Sequence, residues 1–242
     1  MVINVNENTS FQELNRQIRE CDESEVTING CIGQRYIATG ESSRKITING
    51  IPGNALGAYL NGGEVFVNGN GQDAVGDTMN SGKIIICGNA GDATGYAMRG
   101  GKIYVKGNTG YRAGIHMKAF MDSKPVLVVG GRAGSFLGEY QAGGIIVVLG
   151  KNDDGLPVVH NFCGTGMHGG VMYIRCEKLP RRLPAQVHCE SKKGSEIEEL
   201  KTILEDYCSY FPEFNAEELL KDNFFILTPN THNPYKQMYT DN

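Results

Sequence analysis

A unit of about 19 residues recurs down the middle of this chain, with glycine and asparagine at matching places in each copy. Gly57, Gly76, Gly95 and Gly114 stand at strict 19-residue intervals. The first three lead, through Leu60, Met79 or Met98, into a small-residue pair and a short apolar run. The runs are Gly62-Gly63-Glu64-Val65-Phe66-Val67, Ser81-Gly82-Lys83-Ile84-Ile85-Ile86 and Gly100-Gly101-Lys102-Ile103-Tyr104-Val105. Gly-Asn follows each run, as Gly69-Asn70, Gly88-Asn89-Ala90-Gly91 and Gly107-Asn108-Thr109-Gly110. A unit this small cannot bury its own apolar face, so it folds only by stacking on copies of itself.

The pattern extends in both directions with looser spacing. Upstream it reads Val26-Thr27-Ile28-Asn29-Gly30 and Ile46-Thr47-Ile48-Asn49-Gly50; downstream come Val126-Leu127-Val128-Val129-Gly130, Ile146-Val147-Val148-Leu149-Gly150 and Met172-Tyr173-Ile174-Arg175. The first apolar residues, at 26, 46, 65, 84, 103, 126, 146 and 172, give eight copies. Runs of Val, Ile, Phe and Tyr this short, bounded by glycine, are strands and not helices. The expected fold is mostly β: a single-stranded, right-handed parallel β-helix of about eight coils, roughly 34 Å long at the usual strand spacing. Leucine-rich and helical repeats are the rivals, but their leucine ladder and helix-forming half are missing.

Glycine suits a coil that turns several corners in so few residues, because corners need positive φ, and asparagine tolerates it. Stacked asparagines such as Asn70, Asn89 and Asn108 are expected to bond to one another or to neighbouring backbone at a corner. Pro125 opens the sixth strand, where a missing N–H does least harm. Alternation along each strand points Val65/Val67, Ile84/Ile86, Ile103/Val105, Val126/Val128, Ile146/Val148 and Met172/Ile174 inward. The middle residues then form an outward ladder of Thr27, Thr47, Phe66, Ile85, Tyr104, Leu127, Val147 and Tyr173. Six successive apolar residues make a larger exposed stripe than a soluble monomer tolerates, so Phe66, Ile85, Tyr104, Leu127, Val147 and Tyr173 are the candidate interaction ladder. The chain's own C-terminal segment, a partner subunit, or both are expected to cover it.

Three segments are expected: a capping helix over 1–22, the repeat domain over 23–178, and a helical extension over 179–242 that packs on the coils. Ser10-Phe11-Gln12-Glu13 reads as a capping box, with Phe11, Leu14 and Ile18 on one helical face. Such a helix would close the open end of the first coil, where strand edge and core are otherwise bare. Leu179-Pro180-Arg181-Arg182-Leu183-Pro184 marks a break, Ser195-Glu196-Ile197-Glu198 a second capping box, and Asn215-Ala216-Glu217-Glu218 the start of a shorter helix. Phe224-Phe225-Ile226-Leu227 is an expected strand, followed by a polar tail.

Glycine supplies 33 of 242 residues while the net charge is only −4. Residues 191–242 hold 5 Lys and 10 Asp/Glu, so the acidity lies in the tail. Nothing in this balance points to nucleic acid, and no stretch has the length and apolarity of a signal peptide or a membrane span, which places the chain in the cytoplasm. Seven cysteines, an odd number without paired spacing, read as reduced thiols.

Motifs that suggest chemistry each have a structural explanation. Gly164-Thr165-Gly166-Met167-His168-Gly169 matches a dinucleotide fingerprint, but it leads into a strand where that fingerprint opens a helix, and Gly164 and Met167 are repeat equivalents of Gly95 and Met98. His160, Cys163 and His168 lack the paired spacing of closed zinc sites. His116 takes a repeat position held elsewhere by Ala58, Thr78 and Ala97. Asp73, Asp77 and Asp92 invite comparison with the carboxylates of β-helix polysaccharide lyases, yet aspartate at a corner is ordinarily a turn former. No Ser-His-Asp or Cys-His constellation and no phosphate loop can be assembled.

With the repeat laid out, the chain resembles the Gly-x-Gly-x-Gly domain at the C-terminus of the glutamate synthase large subunit. The resemblance covers most of residues 24–237: Gly62 to Gly69, Gly76 to Gly91, Gly95 to Gly110, Gly143 to Gly150 and Asn161 to Val171, then a terminal helix over Glu198 to Tyr210 and a closing Phe225-Ile226-Leu227-Thr228-Pro229 with Tyr235. In that family the glutaminase cysteine, FMN and the iron–sulfur cluster belong to other domains, and the repeat domain packs between them. The resemblance therefore implies a non-catalytic scaffold subunit that binds no cofactor of its own. Its partners would be the glutaminase and the FMN/iron–sulfur synthase subunits, with homo-oligomers also possible. The alternatives are a scaffold like the coil-bearing subunit of formylmethanofuran dehydrogenase, to which the repeat is also similar, and an autonomous β-helix enzyme such as a lyase.

Overall fold

The computed structural model describes residues 1–151, 155–178 and 183–230. The first four residues of the expected break, 179–182, and Tyr235 with the polar tail lie outside them. In chain order the elements are β1 (Val2–Asn4), α1 (Phe11–Glu20), β2 (Glu25–Ile32), β3 (Lys45–Ile51), β4 (Asn61–Asn68), β5 (Ser81–Ile86), β6 (Lys102–Val105), β7 (Val126–Val129), β8 (Ala142–Val148), β9 (Gly169–Arg175), β10 (Val187–Lys193), α2 (Glu198–Tyr210), α3 (Ala216–Leu220) and β11 (Asn223–Pro229). The strands form one mostly parallel sheet in the order β1 to β9, then β11, then β10. The last two are antiparallel additions. No helix among the described residues is long and apolar enough to cross a membrane.

Equivalent residues of successive repeats lie side by side. Val26, Ile46, Val65, Ile84, Ile103, Leu127, Ile146 and Met172 pair in turn from β2 to β9. This is the expected series except in β7, where Leu127 and not Val126 stands in line. Val126 pairs with Lys102, so Leu127 and Val129 point into the core while Val126 and Val128 point out, the reverse of the alternation expected there. The cause is the composition of the run: four apolar residues in a row carry no alternation, and counting from the first of them slips the register by one, which flips every side chain. Two strands escape the sequence pattern altogether. β1 pairs through Val2, Ile3 and Asn4 with Thr27, Ile28 and Asn29, and is too short to show a period. β10, Val-His-Cys-Glu-Ser-Lys-Lys, is a polar edge strand, as an edge that must not recruit another chain should be.

Between strands the chain passes through a turn with three left-handed residues at alternate positions. Arg112, Gly114 and His116 have φ of 57°, 68° and 56°, and Phe136, Gly138 and Tyr140 have 64°, 60° and 54°. The same spacing recurs at Ala55/Gly57/Tyr59, Ala74/Gly76/Thr78, Ala93/Gly95/Ala97 and Phe162/Gly164/Gly166. The middle residue faces the core. A Cβ on Gly114 would stand 2.5 Å from Ile146 Cδ1, and one on Gly138 would stand 2.2 Å from Met172 Cε. The outer two positions open outward and carry side chains, although each non-glycine residue there costs about 1–2 kcal/mol of backbone strain. Backbone bonds tie the turns together: the N–H groups of Ala55, Ala74 and Ala93 donate to the carbonyls of Asp73, Asp92 and Tyr111 at 2.9, 2.8 and 2.8 Å.

Polar side chains at the corners are spent on stacking. Asn29 Nδ2 donates to Asn4 Oδ1 at 3.0 Å, Asn49 to Asn29 at 2.8 Å and Asn68 to Asn49 at 2.7 Å. At the next corner the side-chain oxygens of Asn70, Asn89 and Asn108 each accept the backbone N–H of the following repeat, from Asn89, Asn108 and Arg132, all at 2.8 Å. Each such bond satisfies a backbone donor that a corner would otherwise leave without a partner.

The inner core runs the length of the stack, from Ile3 through the paired series to Ile174. Leu14 and Ile18 of α1 join it at the N-terminal end, and Ser10 caps that helix by accepting the Glu13 N–H at 3.2 Å. Asn215 likewise caps α3 through the Glu218 N–H at 3.0 Å. The box expected at Ser195 does not cap α2. Gly194–Glu196 forms a single 3₁₀ turn, the Glu196 carboxylate accepts the Lys193 N–H at 3.0 Å, and α2 begins beyond Ile197 without a side-chain cap. Packing decides this: Gly194 is buried against Leu220 and Phe224 and its N–H is held by the Asp222 carbonyl at 3.0 Å, which fixes the chain one turn ahead of the helix.

Candidate functional site

The outward ladder lies under the chain's own C-terminal segment. Ile85, Tyr104, Val147 and Tyr173 are buried in a second core with Leu200, Ile203, Leu204, Tyr207, Phe211 and Phe214, and Phe66 sits half-buried at its margin. Leu127 is not part of it; Val128 takes its place, and Val126, Ile145 and Leu149 widen the stripe. Thr27 and Thr47, beyond the reach of α2, are half-buried. The ladder is thus polar where no segment covers it and apolar where α2 does.

Charged groups pin this segment at one place. Asp206 of α2 accepts from Lys83 Nζ at 2.7 Å, Lys102 Nζ at 2.5 Å and Tyr104 OH at 2.8 Å. Burial by itself would raise the Asp206 carboxyl, but the three donors outweigh it and hold the group at about 2. Tyr104 is pushed up, by burial first and then by its bond to the Asp206 carboxylate. Tyr210 OH donates to Glu64 at 2.7 Å, and Tyr173 OH donates to Glu199. Two lysines and three tyrosines are therefore engaged in docking a helix.

The other residues singled out from sequence have structural places. Asp73 and Asp92 accept the backbone N–H groups of Asp92 and Tyr111 at 2.9 and 2.8 Å, which is corner chemistry and not a convergent acid–base pair. Asp77 accepts the Thr78 hydroxyl at 2.8 Å. Gly164 to Gly169 leads into β9 and opens no helix. Cys163 is buried with Sγ 3.8 Å from Met172 Sδ, and burial pushes its thiol up to about 12. His168 Nδ1 lies 3.0 Å from the Gly166 carbonyl. Among the described residues no group of three or more His, Cys, Asp or Glu side chains is placed to hold a metal.

Sequence reasoning missed a second surface, on the outer positions of the left-handed turns. His116 stacks on Tyr140 with centroids 5.3 Å apart and meets Tyr96 edge-on at 5.9 Å. Phe136 stacks on Phe162 at 4.8 Å, and the Arg112 guanidinium lies 5.1 Å from the Phe136 ring while pairing with Glu139 at 3.0 Å. Tyr96, Tyr140 and Phe162 remain exposed. The available signal was the middle-glycine rule: once Gly57 to Gly114 define the inward position, the residues two before and two after must point out.

The turn that repeats down the stack, with left-handed residues at every second position, is the backbone form of a Gly-x-Gly-x-Gly sequence. The profile of the family described as GXGXG motif matches residues 2–230. The chain belongs to the GXGXG motif family. This is the family of the glutamate synthase domain that the repeat resembles. The chain is also similar to an uncharacterized protein, MJ1350, of Methanocaldococcus jannaschii, at 42% identity over 242 aligned residues that cover 95% of this chain and 93% of that one. The GXGXG chain departs from its own name at the outer glycines, which it replaces with Ala, Thr, Tyr, Arg, His or Phe in five successive turns.

Proposed function

We propose that this GXGXG chain is a non-catalytic scaffold of a glutamate synthase-like assembly, in which partner polypeptides carry the glutaminase, the FMN and the iron–sulfur cluster. In this reading the parallel strands and their turns wind as a single-stranded, right-handed β-helix of eight coils, capped by residues 1–22 and strapped by residues 179–242. The stack is a rigid spacer that holds two reactive domains at a fixed separation. The observation that carries the reading is how the polar side chains are used. Asn, Asp, Lys and Tyr along the repeats bond to the next repeat or to α2, so their chemistry maintains the stack. Family membership over nearly the whole described chain supports it further. Acid–base or nucleophilic catalysis needs groups converging on a cleft with shifted proton affinities directed at a substrate, whereas the Asp206 cluster is directed at a helix.

Affinity purification of the tagged chain from its native host tests this. The expected result is co-purification with flavin-containing and glutaminase polypeptides and no turnover by the chain alone. Recovery of the chain by itself, with an activity of its own, would overturn the reading.

A further inference from the structure

We propose that the ring-bearing turn face of the C-terminal half of the stack, together with the Phe120–Met121 hairpin beside it, is the docking surface for an acidic protein partner that offers an apolar socket. The inference rests on the scaffold reading and deepens it by saying where the partner binds.

The hairpin is the first ground. The step from Ile103 to Leu127 is five residues longer than the 19-residue repeat. The extra chain closes on itself, Phe120 N–H to Ser123 O at 3.1 Å and Ser123 N–H to Phe120 O at 3.0 Å. At its tip Met121 has φ of 53° and is 87% exposed, and Phe120 is 55% exposed. The projection packs on the stack through Ser123, whose Oγ a Cβ at Gly100 would meet at 2.2 Å, but its two large apolar side chains face water and add nothing to the core. The base of the hairpin rests on the stack, since a Cβ at Gly143 would meet Ala119 N at 2.5 Å. That puts the projection beside the turn of Tyr140.

The second ground is the asymmetry between the two halves of the turn face. In the N-terminal half the first outer position holds Tyr36, Ala55, Ala74 and Ala93; in the C-terminal half it holds Arg112, Phe136 and Phe162. The second outer position holds Gly40, Tyr59, Thr78 and Ala97 and then His116, Tyr140 and Gly166. The large side chains at outer positions are thus Tyr36 and Tyr59 over the first four turns and Arg112, His116, Phe136, Tyr140 and Phe162 over the next three. Bulk at left-handed positions is disfavoured locally, so its concentration in one half points to a role outside the fold. Exposed aromatic and methionine side chains with arginine are the residue types enriched in protein interfaces.

Charge selects the partner. Residues 96–151 hold eight Lys/Arg and two Asp/Glu, whereas residues 1–95 hold six and eleven. Lys102 and Lys106 are taken up by Asp206 and Glu213. Arg99 and Lys118 are exposed and occupy equivalent places in successive turns, their N–H groups bonding to Met79 and Met98 carbonyls. Lys124 stands exposed at the foot of the hairpin. Arg99, Lys118 and Lys124 outnumber the exposed Asp122 of the hairpin itself, and a net basic rim around an apolar knob fits an acidic surface around an apolar socket. A single-stranded nucleic acid would also favour cations and rings, but it stacks on open ring faces. Here Phe136 and Phe162 cover one face of each other at an 18° interplanar angle, as do His116 and Tyr140 at 11°, and Arg112 lies over Phe136, which reduces the ring face open to a base.

The test uses the full-length chain and the flavin-bearing synthase polypeptide purified from the same host, with affinity measured by sedimentation or interferometry. The double variant Phe120→Asp/Met121→Asp should weaken binding at least 100-fold with an unchanged melting temperature, because both side chains are outside the core. Lys118→Glu/Lys124→Glu should weaken it at least tenfold and flatten its salt dependence, and Tyr59→Asp in the other half should leave it unchanged. If the wild-type chain binds and the hairpin variants bind equally well, the docking surface is elsewhere, and the scaffold reading stands without this inference. If the wild-type chain does not bind, the scaffold reading fails and the inference with it. Tight binding of a single-stranded oligonucleotide, lost in the same variants, would replace the protein partner with nucleic acid.

Discussion

Adding one methyl group at Gly114 tests whether the turns work as described. In Gly114→Ala the new Cβ would lie 2.5 Å from Ile146 Cδ1 and 3.2 Å from Met117 Sδ, and the backbone would keep a φ of 68°. The left-handed conformation costs about 1–2 kcal/mol for an alanine, and overpacking a filled core costs about 1–3 kcal/mol, so the variant should lose roughly 2–5 kcal/mol in all. For a chain of this size that corresponds to a fall in melting temperature of roughly 4–20 °C. Ala74→Gly is the companion. At an outer position it relieves the same backbone strain without touching the core, and against the entropy of an added glycine it should be neutral or stabilising by about 1 kcal/mol at most. Thermal unfolding followed by circular dichroism measures both. A Gly114→Ala protein within about 0.5 kcal/mol of wild type, the size of an ordinary surface substitution, would refute the inward-facing middle glycine.

The register of β7 gives opposite expectations for neighbouring residues: Leu127→Asp should prevent folding of the stack, while Val128→Asp, like Tyr104→Asp, should release α2 and leave the parallel sheet intact, as limited proteolysis and circular dichroism would show. Asp206→Asn removes the charge that pairs with Lys83 and Lys102 and one of the two oxygens they share, and should cost about 1–3 kcal/mol. The pH dependence follows from the same group: its folded value of about 2 lies below the ordinary 3.8, so its contribution is complete above pH 4 and is lost as pH falls from about 4 to 2. Acid titration of wild type should therefore show loosening of α2 in that window, which Asp206→Asn abolishes. Burial pushes the thiols of Cys31 and Cys163 up to about 11 and about 12, so both should resist iodoacetamide at pH 7.5 in the native chain and react once it is unfolded in urea, as mass spectrometry would register.

How much the sequence discloses depends on whether a residue's role is local or shared. The parallel strands were legible because the same short run recurs, and a repeat that cannot stand alone must stack. Ser10 and Asn215 were legible as caps because the bond each makes is three residues away. Leu127 was not, since its facing is set by pairing with Ile103 and Ile146 on either side and an all-apolar run hides the period. β10 was invisible because an edge strand paired only to β11 needs no apolar face. The covering of the ladder by α2 was foreseeable from six apolar residues in line, but the Asp206 anchor was not: it joins residues more than a hundred positions apart. The ring-bearing turns were hidden for a different reason. A glycine motif directs attention to its glycines, whereas the positions where glycine has been replaced carry the surface.

The claim that this chain is a scaffold for chemistry housed elsewhere is tested most directly by reconstitution. Glutamate formation from glutamine and 2-oxoglutarate should be measured with the glutaminase and flavin-bearing polypeptides, with this chain, and with all three together. The account predicts no turnover from the chain alone and coupled turnover, without release of free ammonia, only when all three are present. Equal coupled turnover by the two partners in its absence, or turnover by the chain alone, would contradict it.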